Sequence, residues 1–207
     1  RLVERSFLWR AQPATQMTSP GVFGHDPGLP PAVHDLERAR ALLAEAGGGF
    51  PVTLEQRAGR DHGELARQLS ELGLQVTVRS WPWPELYPRL QARQIQLYHG
   101  GVAATTGDAS DVLQTFLHSP DPVRGYGTTN SSGFSDAQVD ALVEQAGSTT
   151  KLVDRRRLLQ EALRRAREQR FLLPLVVPED LYGVRRGLAW QPRLDRRLLA
   201  AEVGAAR

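Results

Sequence analysis

The chain has 207 residues, of which 41% are hydrophobic and 24% are charged, and it contains no cysteine. A chain of this size can bury roughly 70% of its unfolded surface, so an intrinsically disordered chain and a disulfide-stapled miniprotein are both excluded. Thiolate nucleophiles and Cys-ligated zinc or iron–sulfur sites are excluded as well. No apolar run approaches the ~20 residues that a membrane-crossing helix needs.

The charge balance is nearly even, with 26 Lys+Arg against 23 Asp+Glu and a formal net charge of +3. That is a weak field for a domain of this size, and a nucleic-acid-binding protein needs its positive charge concentrated on one face. We therefore expect no nucleic acid to bind to this domain. The arginine clusters at 155–157 and 164–165 are most simply the solvated face of a helix.

The first 34 residues are predicted to be a helix end followed by a long connection. Residues 1–9 resemble the end of an amphipathic helix, with no initiator Met and no signal-peptide pattern. We therefore expect a piece of a longer polypeptide, with any targeting segment upstream. Residues 12–34 are too rich in proline and glycine for regular structure.

The next segment alternates between helical and strand patterns. Asp35 is a predicted N-cap of a helix that the glycines at 47–49 end. Predicted strands at 52–54, 74–79 and 95–98 alternate with helices at 65–72 and after Pro84. Strands and helices in this order, with short joints, favour an α/β fold in which a mixed sheet has helices on both faces.

The C-terminal half is predicted to be mainly helical. Asp108 can cap a helix through Leu117, and two further helices follow around 139–143 and 152–166. Residues 171–177 form a continuous apolar run that favours a buried strand, and 181–184 favour a final strand. The tail after Trp190 is weakly patterned.

Catalytic signatures are missing: there is no Gly-x-Ser-x-Gly elbow, no Walker-type loop and no His-Glu-x-x-His helix. None of the five histidines stands at metal-ligand spacing from another. His99 closes a predicted strand, where ligand-facing residues of open α/β sheets lie, although a surface or hydrogen-bonded imidazole is the simpler interpretation. The residues alone therefore predict a binding protein rather than an enzyme, with no cofactor and no metal.

Two further features have alternative interpretations. Asp108 and Asp111 could form an acid/base pair, or an N-cap with a second acid that the helix dipole favours; the residues alone favour the cap. Trp81 lies in a Trp-Pro-Trp-Pro segment that could line a pocket or mark a turn.

Five segments, in order, resemble the family 5 extracellular solute-binding proteins of ABC importers, the oligopeptide and dipeptide receptors. They are residues 31–47 (PAVHDLERARALLAEAG), 65–76 (LARQLSELGLQV), 107–119 (GDASDVLQTFLHS), 133–142 (GFSDAQVDAL), and 155–169 with the LPL at 173–175. The resemblance covers nearly the whole chain.

The resemblance implies that the chain is the second lobe of a two-lobed, periplasmic-binding-protein-like clamp, without catalytic activity. Residues 1–16 would be the crossover from a missing N-terminal lobe, 17–187 the lobe itself, and 188–207 a tail that returns toward the missing lobe. The implied partners are a peptide or other small solute, the permease of an ABC transporter and the first lobe. The implied location is periplasmic or extracellular, with a lipoprotein anchor as one form.

The resemblance also implies ligand-binding residues. Asp108, preceded by Thr106 and Gly107, matches the aspartate that receives a peptide's α-ammonium, a charge-assisted hydrogen bond. Arg57 or Arg60 matches the arginine that holds the ligand carboxylate. His99 and Trp81 join the expected ligand-binding set on their positions in the sequence and not on the resemblance. The family's tryptophan before the aspartate is absent, since residues 104–106 read Ala-Thr-Thr.

Three other functions stay open at this point. The chain could be the sensory domain of a transcriptional regulator of the same fold, which a helix-turn-helix upstream would indicate. It could be an interaction scaffold that has lost its ligand, as the absent tryptophan suggests. An unrelated α/β enzyme is disfavoured by the missing catalytic motifs.

Overall fold

The computed structural model describes residues 1–59, 63–193 and 195–206. Its α-helices are α1 (Leu2–Phe7), α2 (Leu36–Glu45), α3 (Gly63–Glu71), α4 (Trp83–Gln91), α5 (Ala109–Val112), α6 (Ala137–Ser148) and α7 (Leu152–Glu168). A π-helix, Leu113–Leu117, continues α5, and a 3₁₀-helix covers Ala200–Glu202. The strands are β1 (Ala11–Pro13), β2 (Pro51–Arg57), β3 (Gln75–Trp81), β4 (Leu97–His99), β5 (Val176–Pro178), β6 (Leu188–Ala189) and β7 (Gly204–Ala205).

The largest sheet has three parallel strands in the order β3-β2-β4. Helices α3 and α4 make the two crossovers between its strands, as parallel neighbours require. Two separate two-stranded antiparallel sheets, β1–β5 and β6–β7, make the architecture mixed. The predicted α/β class is therefore confirmed.

Local signals at α2 act as predicted. The Asp35 carboxylate accepts a hydrogen bond from the Arg38 N–H at 2.8 Å, so it caps the helix. The chain then turns through Gly47 and Gly48, whose φ angles of +99° and +88° lie in the left-handed region that glycine tolerates.

The main core lies among α5, the π-helix, α6 and α7. The π-helix side chains Leu113 and Leu117, Val139 and Val143 of α6, and Leu159 of α7 are all 0% exposed. Burial of a side chain of this kind contributes about 1.5–3 kcal/mol each. The helical spacing of these residues in the sequence therefore reflects one continuous core, as predicted.

The prediction of a half-buried β3 is only partly confirmed. Leu74 and Val76 are half-buried, but Val78 is 41% exposed. β3 is an edge strand with one neighbour, β2, so its side chains have fewer packing partners than those of the central strand.

Two predictions for the C-terminal segment are wrong. The apolar run 171–177 is neither a continuous strand nor buried: the strand begins only at Val176, and Leu173 is 71% exposed. Pro174, which has no N–H to donate, interrupts any ladder before that point. Residues 181–184 are irregular, and the last strands are instead β6 and β7.

The prediction of a solvated arginine face on α7 is wrong for Arg155 and Arg165, which are partly buried, whereas Arg164 is exposed as predicted. Arg155 is paired with Asp108, Arg164 with Asp26, and Arg165 with Asp136. Each acid precedes α7 in the chain, so these arginines join α7 to the segments before it. Among the described helices, none is long and apolar enough to cross a membrane.

Candidate functional site

The parallel sheet brings three of the predicted site residues to one edge. In the β2–β3 register Arg57 is opposite Trp81, and in the β2–β4 register Gln56 is opposite His99. All of these residues lie at or next to the carboxyl ends of their strands. Ligands of open α/β sheets bind at this edge. We call Arg57, Trp81 and His99 the strand-end group.

The Arg57 side chain lies against the aromatic surface that follows β3. Its guanidinium carbon is 5.7 Å from the ring centroid of Trp83, which is 41% exposed and lies 5.4 Å from the Tyr87 ring. A guanidinium over an indole at an exposed position contributes about 0.5–1 kcal/mol. At this edge, the Arg57 guanidinium therefore lies against the ring of Trp83, where solvent can reach it.

Hydrogen bonds join β2 and β3 next to this edge. Gln56 is 6% exposed, and its amide donates to the Ser80 hydroxyl at 2.9 Å. The Ala58 N–H donates to the Trp81 carbonyl at 2.8 Å, which extends the β2–β3 pairing past Arg57. The backbone around Arg57 and Trp81 is thereby fixed.

Asp108 lies at a different place, at the start of α5. Its Oδ1 accepts from the Ser110 N–H at 2.9 Å, so it is the helix N-cap. Arg155 of α7 also donates to it, from Nη1 to Oδ2 at 2.5 Å and from Nη2 to Oδ1 at 3.0 Å. Burial by itself raises the pKa of Asp108, but these hydrogen bonds and the Arg155 charge outweigh burial and hold that pKa below its ordinary value.

An aromatic ring accompanies this ion pair. The guanidinium carbons of Arg155 and Arg156 lie 5.3 and 5.0 Å from the centroid of Phe23. The Phe23 N–H donates to the Gly107 carbonyl at 2.9 Å, and the Phe23 carbonyl accepts from the Ala109 N–H at 2.8 Å. The backbone on both sides of Asp108 is thus bound to the 16–30 loop.

The segment before Asp108 is a tight turn. Gly107 has a φ of +72°, and its N–H donates to the Ala104 carbonyl at 3.1 Å. The Asp111 carboxylate accepts from the N–H and the hydroxyl of Thr105, both at 2.8 Å, and from the Thr106 N–H at 3.4 Å. Asp108 and Asp111 therefore serve different donors, which supports the capping interpretation over an acid/base pair.

The predicted site residues thus fall into two groups. The strand-end group lies at the sheet edge, and Thr106, Gly107 and Asp108 lie at the α5 N-terminus, connected to β4 by the loop 100–105. Arg60 lies outside the described residues. Within the described ranges, no cluster of three or more His, Cys, Asp or Glu side chains could hold a metal ion.

Sequence reasoning missed three residues that the structure adds to these groups: Arg155, Phe23 and Glu55. Glu55 carried a weak signal, because it is a charged residue directly after the predicted strand 52–54; the observed β2 includes it, and it is 3% exposed. Arg155 and Phe23 carried none, since their proximity to Asp108 depends on contacts distant in the chain.

Two comparisons with known proteins agree on the family. The sequence model of the bacterial extracellular solute-binding proteins, family 5, matches residues 1–122. The di/tripeptide-binding protein 4 of Pseudomonas aeruginosa is 32% identical over 186 residues, covering 85% of this chain and 34% of that protein. The glutathione-binding protein GsiB of Escherichia coli K12 is 25% identical, with 85% of this chain and 36% of the relative covered.

Solved structures show the same fold. HbpA2 from Haemophilus parasuis superposes on 100% of this chain and 42% of its own with a TM-score of 0.81 and 18% identity. The dipeptide-binding protein from Pseudoalteromonas sp. SM9913, solved with Met-Leu, covers 86% of this chain and 36% of its own, with a TM-score of 0.76 and 19% identity. This chain spans about a third of the length of the curated relatives it matches. The chain belongs to the bacterial extracellular solute-binding proteins, family 5.

Proposed function

We propose that this chain is the solute-binding second lobe of an ABC importer's substrate-binding protein, and that its solute is a peptide. The observation that carries the proposal is the strand-end group at the carboxyl edge of a parallel sheet, with the Arg57 guanidinium against the exposed ring of Trp83, in a member of this family. Closure of two lobes would hold the solute, because a ligand that contacts both lobes stabilises the closed population.

The chain is proposed to have three parts. Residues 1–16 are proposed as the crossover from a first lobe, 17–187 as the lobe, and 188–207 as the returning tail. Support for the tail comes from β6, which pairs with β7 inside it, whereas β1 pairs with β5 and so joins the proposed crossover to the end of the proposed lobe. The proposed partners are the first lobe and the transporter permease, in a periplasmic or extracellular location.

The proposed solute contacts are Arg57 and Trp81 with His99 at the sheet edge, and Thr106, Gly107 and Asp108 at α5. An arginine such as Arg57 suits a carboxylate, which it can bind in a bidentate fashion. Asp108 already accepts three hydrogen bonds, two of them from Arg155, so it has less capacity for a ligand ammonium than a solvated carboxylate has.

Calorimetry with the dipeptide Met-Leu and with trialanine tests the proposal. The polypeptide that carries residues 1–207 together with all adjoining sequence of its gene should bind at least one of the two peptides, and binding should compact it in small-angle scattering. The 207-residue chain alone should bind more weakly, because half of the contacts are missing. Tight binding by residues 1–207 alone overturns the two-lobe mechanism, and no binding by the longer polypeptide overturns the peptide receptor.

A further inference from the structure

Three side chains from three elements form a connected cluster that shares Trp81 with the strand-end group. Glu55 of β2 has Oε1 3.6 Å from Nη2 of Arg89 in α4. The Arg89 guanidinium carbon in turn lies 4.6 Å from the ring centroid of Trp81 at the end of β3. We call Glu55, Trp81 and Arg89 the acid–indole cluster.

The cluster contains three buried polar atoms without a hydrogen-bond partner in the described part of the chain. They are Oε2 of Glu55, Nε1 of Trp81 and Nε of Arg89. Buried polar atoms in native proteins are nearly always hydrogen-bonded, and each unpaired one destabilises the fold. Three such atoms in one connected cluster at the edge of a binding lobe indicate a group that is yet to be bound.

The chemistry of these atoms specifies that group. The charge of Glu55 is already matched by Arg89, so a further cation is not needed. What is unpaired is one hydrogen-bond acceptor, the Glu55 carboxylate oxygen, and two N–H donors, on Trp81 and Arg89. A neutral group that offers both an N–H and a carbonyl oxygen meets this set, and the peptide amide is such a group.

We propose that the acid–indole cluster is a binding site for an amide group of the solute. The amide N–H donates to Glu55 Oε2, and the amide carbonyl accepts from the indole N–H of Trp81 or from Arg89 Nε. The inference rests on the proposed function and adds to it the chemical group that is recognised and two residues, Glu55 and Arg89, that the resemblance does not assign.

Entry to the cluster depends on Arg89. The Glu55 side chain is 4% exposed, whereas that of Arg89 is 31% exposed, so Arg89 is the member of this ion pair that solvent reaches. The unpaired atoms are themselves shielded, and Arg89 must therefore shift to admit a ligand. Arginine has a long flexible stem, and its stacking on an aromatic ring is a modest contact that a ligand can replace.

The experiment compares a peptide with its ester analogue on the polypeptide that carries this chain with its adjoining sequence. Met-Leu and the depsipeptide in which oxygen replaces the linking N–H differ in one donor. The cluster predicts that the ester binds roughly 5- to 100-fold more weakly, because Glu55 Oε2 then faces an oxygen. Equal affinities overturn the inference and indicate a resident water on these atoms, whereas no binding of either probe overturns the proposed function instead.

A pair of matched variants tests the donor side. Trp81→Phe removes the indole N–H and keeps an aromatic ring for Arg89, so Met-Leu and its ester should both weaken, by roughly 5- to 50-fold. Trp190→Phe is the control. The indole N–H of Trp190 is also buried without a partner in the described residues, but Trp190 lies in the tail, with its ring 4.9 Å from that of Tyr182. If Trp81→Phe and Trp190→Phe weaken binding of Met-Leu equally, the indole N–H of Trp81 does not bind the solute. If Trp81→Phe fails to fold by circular dichroism, the amide–ester comparison on the unaltered protein still decides.

Discussion

Arg155 binds Asp108 through both terminal nitrogens, at 2.5 and 3.0 Å, across 47 residues of sequence. The same guanidinium donates to the Ser110 hydroxyl at 3.1 Å, so one α7 side chain holds both the N-cap and the first turn of α5. Asp108 therefore has a structural role that exists before any solute binds. Any hydrogen bond that Asp108 makes to a solute must therefore compete with its hydrogen bonds to Arg155.

Removal of that contact should destabilise the fold. Arg155→Ala leaves the largely buried Asp108 carboxylate with only its Ser110 partner, and we expect the free energy of unfolding to fall by about 1–3 kcal/mol. Urea denaturation followed by circular dichroism measures the change. Arg157→Ala is the control, because Arg157 is 66% exposed and forms an ion pair with Glu161 on the same helix, so its effect should stay within about 0.5 kcal/mol. Equal losses contradict the role assigned to Arg155.

Acid should weaken a second contact of the same kind. Hydrogen bonds from Arg165 lower the pKa of Asp136 below its ordinary value of 3.8, and backbone N–H groups of α6 add to this against the opposing effect of burial. The folded state thus binds this proton less readily than the unfolded chain does. The resulting stabilisation is present above the unfolded pKa and is lost as the pH falls through the folded pKa.

Asp136→Asn tests this because asparagine can still cap α6. At pH 7 the variant should be less stable than the unaltered chain by roughly 1–2 kcal/mol, and the difference should shrink as the pH falls below about 4. Unfolding midpoints between pH 7 and pH 3 give the comparison. Asp154→Asn is the control, since Asp154 is exposed at the start of α7 and makes none of these contacts. A difference that stays constant with pH would refute the linkage.

The elements that could be predicted from the sequence are those fixed by local signals. The Asp35 cap, the two glycines after α2 and the helical spacing of Val139, Val143 and Leu159 each act within a few residues. The order of strands and crossovers then places Arg57, Trp81 and His99 at one edge, because parallel strands end on the same side.

The contacts that escaped prediction depend on distant partners. Arg164 pairs with Asp26 across 138 residues, and helical periodicity alone places such an arginine on a solvated face. The prediction of a buried strand at 171–177 failed for a different reason. The composition of this run favours a buried strand, but in the described part of the chain it pairs only with the three-residue β1, and Pro174 cannot join a ladder.

His118 is a buried histidine whose contacts stabilise the fold. It is 2% exposed, its Nδ1 lies 2.7 Å from the Ser119 carbonyl, its Nε2 lies 3.1 Å from Glu144, and its ring stacks on Tyr126 at 4.1 Å. His118→Ala removes a buried ring together with two hydrogen bonds, and we expect a loss of about 2–4 kcal/mol. Differential scanning calorimetry should show a clear fall in Tm, whereas His34→Ala, at an exposed position, should change Tm little. Similar Tm values for the two variants would contradict the buried contacts of His118.

Gly24 sets the approach of the 16–30 loop to the helical core, next to Phe23 and the Asp108 segment. Its φ is +90°, and a Cβ there would lie 2.9 Å from the Cβ of Ala109 and 3.0 Å from that of Leu159. Gly24→Ala therefore combines a left-handed backbone cost with overpacking against two helices, and we expect a loss of about 2–4 kcal/mol. Gly183→Ala is the matched control, because nothing lies within 4 Å of its Cβ position. Chemical denaturation of both variants should separate them by more than 1 kcal/mol. Equal stability would mean that the loop does not pack on α5 and α7 at this distance.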